Sequence, residues 1–126
     1  MLFRSYHPTT NYVGVDSFTF QVSDGQMDSL VAQVWIAVLG VNDPPVAVDA
    51  TVIMLEDAPL DIVLKGRDVE SDPLTYAVVS PPAHGTLSGA APNLVYHPTT
   101  NYAGVDSFTF QVGDEHFQPD LGTVTI

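Results

Sequence analysis

The chain has 126 residues, of which 45% are hydrophobic, and it carries three Lys or Arg against fifteen Asp or Glu, with no cysteine. Its net charge of −12 excludes the basic patches that nucleic acids and anionic membranes require, and no apolar run is long enough for membrane insertion. A small domain without disulfides needs another stabiliser, such as a bound metal ion, although acidity that only serves solubility is the alternative.

The first 43 residues predict three strands, around Leu2–Tyr6, Ser17–Val22 and Ser29–Leu39. Three strands of a sandwich cannot bury their inner face by themselves. We therefore expect residues 1–43 to be poorly ordered or to be completed by another chain, with a strand-exchanged homo-oligomer as one outcome.

Residues 44–126 predict seven short strands separated by turns. Phe108, Phe110 and Val112 alternate with polar residues, which is typical of a strand with one buried face. Lys65 leads into a polar loop at 66–72, and no segment has helical periodicity. The spacing predicts a seven-stranded antiparallel β-sandwich with strands at Val46–Leu55, Leu60–Leu64, Leu74–Val79, Gly85–Ser88, Asn93–Tyr96, Ser107–Val112 and Leu121–Ile126.

The segment Tyr6–Val22 recurs almost unchanged as Tyr96–Val112, 90 residues later, and only Val13 and Ala103 differ. A period of this length matches one small domain. The sequence therefore predicts part of a tandem array: residues 1–43 form the last strands of one repeat plus a linker, and residues 44–126 form the next repeat. Arrays of this kind set reach and repeated weak binding rather than one catalytic centre.

Five short strings carry a family resemblance: VNDPPVA at Val41–Ala47, EDAPL at Glu56–Leu60, DPLTY at Asp72–Tyr76, AHGTL at Ala83–Leu87 and DSFTF at Asp106–Phe110. As a set they resemble the bacterial cadherin-like tandem repeats, also classified among bacterial Ig-like repeats, of large secreted adhesins and biofilm proteins. The resemblance implies a Greek-key β-sandwich, placement outside the cell or on its surface, calcium at domain junctions, and neighbouring repeats as partners. It does not imply an enzyme.

Acidic and amide side chains cluster in three loops that the strand alternation places at one end of the sandwich. Calcium is bound by six to eight such oxygens. We therefore predict a calcium site from Asn42, Asp43, Asp68, Glu70, Asp72 and Asp114. The resemblance supports Asn42, Asp43, Asp68 and Glu70, but the Asp-Arg-Glu string of cadherins is absent near Asn11–Asp16, which favours one or two weak sites. Alternatively, these residues only stabilise turns.

Other polar residues are better explained by structure than by chemistry. His7, His84 and His97 fit no zinc spacing and are expected to form structural hydrogen bonds. No nucleophile elbow or triad pattern is present, so hydrolysis is not expected. Asp16 and Asp106 are expected to accept hydrogen bonds from the backbone where the chain enters a strand.

These observations favour a structural and adhesive repeat whose junctions are stiffened by calcium. A carbohydrate-binding accessory module of a secreted polysaccharide-degrading enzyme is the alternative. It requires exposed aromatic rings, from Tyr12, Trp35, Tyr102 or Phe117, arranged as a flat platform for a polysaccharide.

Overall fold

A computed structural model describes residues 5–116 and 119–126. Within these ranges the protein contains eleven strands and no helix. The described residues therefore include no helix that could cross a membrane. The chain divides into two compact units, Met1–Val41 and Asn42–Ile126, which we call unit 1 and unit 2. The predicted all-β class is confirmed.

From residue 5 onward, unit 1 contains an antiparallel hairpin formed by β1 (Gly14–Phe20) and β2 (Ala32–Val38). The strand predicted at Leu2–Tyr6 falls mostly outside the described residues, and Ser5 and Tyr6 are not in a strand. Apolar side chains of the hairpin remain open to solvent, with Phe18 50% and Phe20 44% exposed.

The described residues of unit 2 contain nine strands: the seven predicted ones, of which one is divided in two, and one strand that was not predicted. The first predicted strand is interrupted at Asp49 and appears as two short strands. The second ends at Val63, and a further strand begins at Lys65, beyond the predicted end at Leu64. The strands are β3 (Val46–Val48), β4 (Ala50–Thr51), β5 (Leu60–Val63), β6 (Lys65–Arg67), β7 (Thr75–Ser80), β8 (Gly85–Ala90), β9 (Asn93–Pro98), β10 (Ser107–Gly113) and β11 (Asp120–Thr125).

The strands of unit 2 form the two sheets of an Ig-like sandwich. One sheet has the order β4-β11-β10-β7 and the other β5-β9-β8, while β3 pairs with β6. The first strand therefore changes partners at Asp49: β3 runs antiparallel to β6, and β4 runs parallel to β11. At this change of partner the Asp49 side chain contacts β11: its Oδ1 accepts a hydrogen bond from Thr123 N at 2.7 Å. The predicted β-sandwich is confirmed.

Two predicted boundaries were wrong, and both errors concern strand pairing. The loop predicted at 66–72 was expected to begin at Gly66, but Lys65, Gly66 and Arg67 form a strand because β3 lies beside them. The first strand was predicted to reach Leu55, but β4 ends at Thr51. Its partner β11 ends at Thr125, so residues 53–55 have no paired strand among the described residues.

The core of unit 2 lies between the two sheets. The sheet β5-β9-β8 contributes Ile62, Leu94 and Tyr96. Leu64, which lies between β5 and β6, also belongs to the core. The opposite sheet contributes Phe108, Phe110, Val112 and Val124. The alternation predicted for Ser107–Val112 is correct, since all three of its apolar residues are at most 1% exposed.

Candidate functional site

The acidic and amide residues predicted to converge do lie at one end of unit 2. The Asn42 amide nitrogen Nδ2 donates to Asp114 Oδ2 at 2.8 Å, which connects the start of the unit to the loop after β10. The backbone N–H of Asp43 donates to Glu70 Oε2 at 3.0 Å, which connects it to the loop after β6. The start of unit 2 is therefore held by two acidic loops.

The loop after β6 folds around the Asp68 carboxylate. Asp72 N donates to Asp68 Oδ1 at 2.9 Å, and Ser71 turns the chain with a φ of 66°. The other oxygen, Asp68 Oδ2, is buried and has no hydrogen-bond partner within the described part of the chain. A buried carboxylate oxygen without a partner is unfavourable unless water or a cation contacts it.

Asp72 and Asp114 also line one small pocket of about 130 Å³, together with Pro73, Glu115 and His116. The backbone N–H of His116 donates to Asp114 Oδ1 at 2.8 Å. The Asp114 carboxylate is thus fixed by the amide of Asn42 on one side and by its own loop on the other.

This oxygen-rich set suits calcium in its chemistry, since all six predicted side chains offer only oxygen ligands and one oxygen of Asp68 is unpaired. It is not a preassembled cage. Among residues 5–116 and 119–126, no three acidic or histidine side chains are grouped closely enough to hold a metal ion. Several of the oxygens also accept backbone hydrogen bonds, as the turn-forming alternative requires.

A second polar centre lies at the opposite end of unit 2, around the buried carboxylate of Asp106, which is 4% exposed. Its Oδ1 accepts hydrogen bonds from Ala83 N at 3.0 Å and Ser107 N at 2.9 Å. Its Oδ2 accepts from His84 N at 2.9 Å and from the Tyr96 hydroxyl at 2.8 Å. The prediction that Asp106 accepts backbone hydrogen bonds is confirmed.

The same contacts set the protonation of this pair. Burial raises the pKa of Asp106, but the hydrogen bonds from Tyr96 and from three backbone amides outweigh it, so the pKa lies below its ordinary value. Burial and the hydrogen bond to Asp106 raise the pKa of Tyr96 to about 12.

We expect unit 2 to lose stability in alkali because of Tyr96. An unfolded tyrosine loses its proton near pH 10, whereas folded Tyr96 keeps it until about pH 12. The stabilisation from this group is therefore complete below about pH 10 and is lost as the pH rises to about 12. The loss lowers the free energy of unfolding by about 2–3 kcal/mol. Urea unfolding at several pH values measures this slope. Tyr96→Phe should flatten it, and an unchanged slope in that variant would contradict the assignment.

Unit 1 keeps only part of this arrangement. Tyr6 and Asp16, which correspond to Tyr96 and Asp106, form a hydrogen bond of 2.8 Å, and Ser17 N donates to Asp16 Oδ1 at 2.8 Å. Both residues are exposed. The backbone-acceptor prediction for Asp16 is confirmed by the Ser17 contact.

Hydrogen bonds were predicted for three histidines, and two of them, His7 and His97, form one through the ring. His97 Nε2 lies 2.9 Å from Ser88 Oγ, and His7 Nε2 lies 3.1 Å from Ser5 Oγ. The His84 ring stacks on Tyr102, with centroids 4.1 Å apart and planes inclined by 9°.

The aromatic residues proposed for carbohydrate binding differ in accessibility. Trp35 is 68% exposed and Tyr12 is 40% exposed. One face of the Tyr102 ring is covered by His84. Phe117 lies outside the described residues.

The sequence analysis missed the role of Gly85. A Cβ at this position would overlap the Tyr96 ring, so only glycine lets that ring reach the polar centre. There the Tyr96 hydroxyl contacts both His84 O, at 3.2 Å, and Asp106. The glycine in His84-Gly85-Thr86 could have indicated a close contact, but the sequence does not show that the contact is with Tyr96, eleven residues away.

Comparison with known proteins gives a family match and several structural likenesses. A sequence profile described as bacterial Ig domain matches residues 4–37 and 42–126. No curated protein matches the chain. Similar solved structures are endo-fucoidan hydrolases from glycoside hydrolase family 107: MfFcnA4 (26% identity, TM-score 0.48), a variant of MfFcnA4 (27%, 0.48) and MfFcnA9 (22%, 0.49). Each alignment covers 94% of this chain but only 19–23% of the hydrolase, so the chain spans about a fifth of their length.

Proposed function

Because the chain belongs to the bacterial Ig domain family, we propose that it is a structural and adhesive repeat of a protein exported to the bacterial surface or beyond. Domains of this family are generally non-catalytic and are typical of extracellular proteins. The observation that carries the proposal is the near-identical recurrence of Tyr6–Val22 as Tyr96–Val112 within a chain matched by one domain family. Repetition of a domain extends a protein and multiplies weak contacts.

The proposal includes calcium at the acidic end of unit 2. Calcium would be held by oxygens of Asn42, Asp43, Asp68, Glu70, Asp72 and Asp114, and when bound it would offset the repulsion among their carboxylates. The support is the contact of Asn42 and Asp43 with both acidic loops and the unpaired Asp68 Oδ2. The following Pro44-Pro45 restricts the backbone at the same point. Together these features would make the chain stiffer where consecutive repeats join.

Adding calcium should stabilise unit 2. Extracellular calcium modules bind with dissociation constants of about 0.1–1 mM, so 5 mM calcium should add about 1–2 kcal/mol to the unfolding free energy. For a domain of this size that corresponds to a rise in melting temperature of about 4–16 °C. The measurement is a thermal melt in chelator and in calcium, with small-angle scattering to detect extension of the chain.

Two controls sharpen this test. Magnesium at the same ionic strength separates a site from general screening, and the Asp68→Asn, Glu70→Gln double variant should lose the calcium response. Identical melting temperatures of the unaltered chain in chelator and in millimolar calcium would contradict the calcium part of the proposal. The scattering data would still test whether the chain is an extended structural repeat.

The carbohydrate-binding alternative has one supporting observation, the exposure of Trp35 on β2. Exposed tryptophan rings are suited to stacking on sugars because they offer a large flat apolar face. Gel retardation by soluble polysaccharides distinguishes the two functions, since a structural repeat should migrate at the same rate with and without polysaccharide.

A further inference from the structure

Strand β7 lies at the edge of its sheet and has a free side. Among the described strands it pairs with β10 alone. Asp106 and Ile126 exchange backbone hydrogen bonds across β10 and β11, so the odd-numbered residues of β10 direct their backbone groups towards β7. Ala77 faces one of these residues and is bonded within the sheet. The N–H and C=O groups of Tyr76 and Val78 therefore point outward.

The free edge of β7 is uncharged, in a chain whose net charge is −12. No Asp, Glu, Lys or Arg occurs at residues 73–83, and the side chains of Val78 and Val79 are 37% and 52% exposed. In the other sheet, the edge strand β5 carries Asp61, and β8 contains Gly89 with a φ of 92°. Charges and irregular backbone discourage edge pairing. They are absent from Thr75–Val78, so this segment is the best suited to pair with another strand.

We propose that β7 pairs antiparallel with β7 of a second copy of this chain, so that the two sheets join edge to edge. With Ala77 on the two-fold axis, Tyr76 lies opposite Val78 of the second copy and Val78 lies opposite its Tyr76. These are the two residues whose backbone groups point outward. Four hydrogen bonds therefore form, and each copy satisfies the edge of the other.

Charge favours the antiparallel orientation of the two copies. Asp72 lies just before β7, at the acidic end of unit 2. In the antiparallel register the Asp72 positions of the two copies are ten residues apart along the strands, or about 33 Å. That distance exceeds the Debye length of about 8 Å at physiological ionic strength several times over. Parallel pairing would instead place the two acidic ends side by side.

The ends of β7 limit the pairing to a short, closed contact. Val79 is an extra residue opposite β10, because the register shifts between Ser80 and Val78, and such bulges bend an edge strand. Pro73 and Pro81 lack the backbone N–H that a longer ladder would need. The other side of β7 is occupied by β10, so two copies complete the assembly. No segment leaves its own unit, which distinguishes this pairing from strand exchange, and it depends on neither calcium nor the repeat function.

Ala77→Cys tests the pairing directly, because the chain contains no other cysteine. Ala77 is exposed, so unit 2 should fold as before. On the two-fold axis the two Ala77 positions form a pair that is not hydrogen-bonded, with Cα atoms about 4.5 Å apart, which a disulfide can span. With oxidised glutathione as the oxidant, we expect a disulfide-linked dimer on a non-reducing gel.

Thr75→Cys is the matched control, since Thr75 is exposed on the same strand and the same face. In the proposed register Thr75 lies opposite Val79 of the second copy, so the two Thr75 positions are four residues, or about 13 Å, apart along the strands. That is beyond the reach of a disulfide. Ala77→Cys should therefore form the dimer at least about tenfold faster than Thr75→Cys, and the two rates should become equal in urea. Equal rates without urea, or a faster reaction of Thr75→Cys, would contradict the pairing.

Hydrogen exchange of the unaltered chain tests the same contact without a covalent link. Contacts of this size are weak, with a dissociation constant of about 1 mM, so the Tyr76 and Val78 amides should exchange about twofold more slowly at about 1 mM protein than at high dilution. The Ala77 amide, already bonded to β10, should not change. Ala77→Lys places two like charges on the axis and should abolish the slowing. If Tyr76 and Val78 exchange at the same rate at both concentrations, β7 does not pair. All measurements are made in chelator, so their outcome is independent of calcium.

Discussion

Replacing Asp106 with alanine should destabilise unit 2 by about 3–5 kcal/mol. The carboxylate is 4% exposed and accepts four hydrogen bonds. Its removal leaves the Tyr96 hydroxyl and the backbone amides of Ala83 and His84 without this partner inside the protein. An unsatisfied buried donor costs about 1–3 kcal/mol. Urea unfolding followed by far-ultraviolet circular dichroism gives the free energy.

The repeat supplies the control for this substitution. Asp16 stands in the same local sequence, Gly-Val-Asp-Ser-Phe, but it is exposed. Asp16→Ala should change the unfolding free energy of unit 2 by no more than about 0.5 kcal/mol. An equal loss of unfolding free energy from the two substitutions would show that the hydrogen bonds around Asp106 do not stabilise unit 2. Asp106→Asn, which keeps the shape but loses the charge, should fall between them.

Sequence patterns predicted a strand correctly where its own alternation of apolar and polar residues identifies it. They failed where the boundary of a strand depends on which strand pairs with it. Ser107–Val112 was placed correctly because alternate apolar residues identify a strand with one buried face. The end of the first strand and the start of the loop predicted at Gly66 depend on which segments lie beside them. Nothing in VAVDATVIML shows that its partner changes at Asp49, since the residue that hydrogen-bonds Asp49 is Thr123, 74 positions away.

The acidic end shows the same limit at the level of a site. Strand alternation was enough to predict that the linker and the loops after the second and sixth strands converge, and Asn42, Asp43, Glu70 and Asp114 do contact one another in pairs. The orientation of each oxygen was not predictable, because it is set by local backbone hydrogen bonds. Asp43, for example, contacts Glu70 through its backbone N–H rather than its carboxylate. The calcium site remains a prediction.

The near-identity of the two hairpins does not make them interchangeable, which bears on the predicted strand exchange. Gly122 in β11 corresponds to Ala32 in β2. A Cβ at Gly122 would lie 2.6 Å from the Phe110 ring and 3.0 Å from Ala47 Cβ, so those groups would have to shift. Asp120, which accepts from Ala47 N at 2.8 Å, corresponds to Leu30. A unit 1 hairpin placed in the β10–β11 position of another copy would lose that bond and meet this overlap.

A second matched pair of substitutions, Phe110→Ala and Phe20→Ala, tests where the core lies. Both side chains occupy the same string, Ser-Phe-Thr-Phe-Gln-Val, but Phe110 is fully buried and Phe20 is 44% exposed. Phe110→Ala should lower the unfolding free energy of unit 2 by about 3–5 kcal/mol, because it removes buried apolar contacts and leaves a cavity beside Val112 and Val124. Phe20→Ala should leave that free energy unchanged within about 0.5 kcal/mol.

Two readouts separate the units in this experiment. Far-ultraviolet circular dichroism follows the larger number of strands in unit 2, whereas tryptophan fluorescence, excited at wavelengths that tyrosine does not absorb, reports unit 1, since Trp35 is the single tryptophan of the chain. A loss of several kcal/mol from Phe20→Ala would mean that the unit 1 hairpin is covered in solution, as completion by another chain requires. Light scattering on the same sample would then show an oligomer. With identical local sequence on both sides, any difference between the two variants is due to tertiary burial and not to strand propensity.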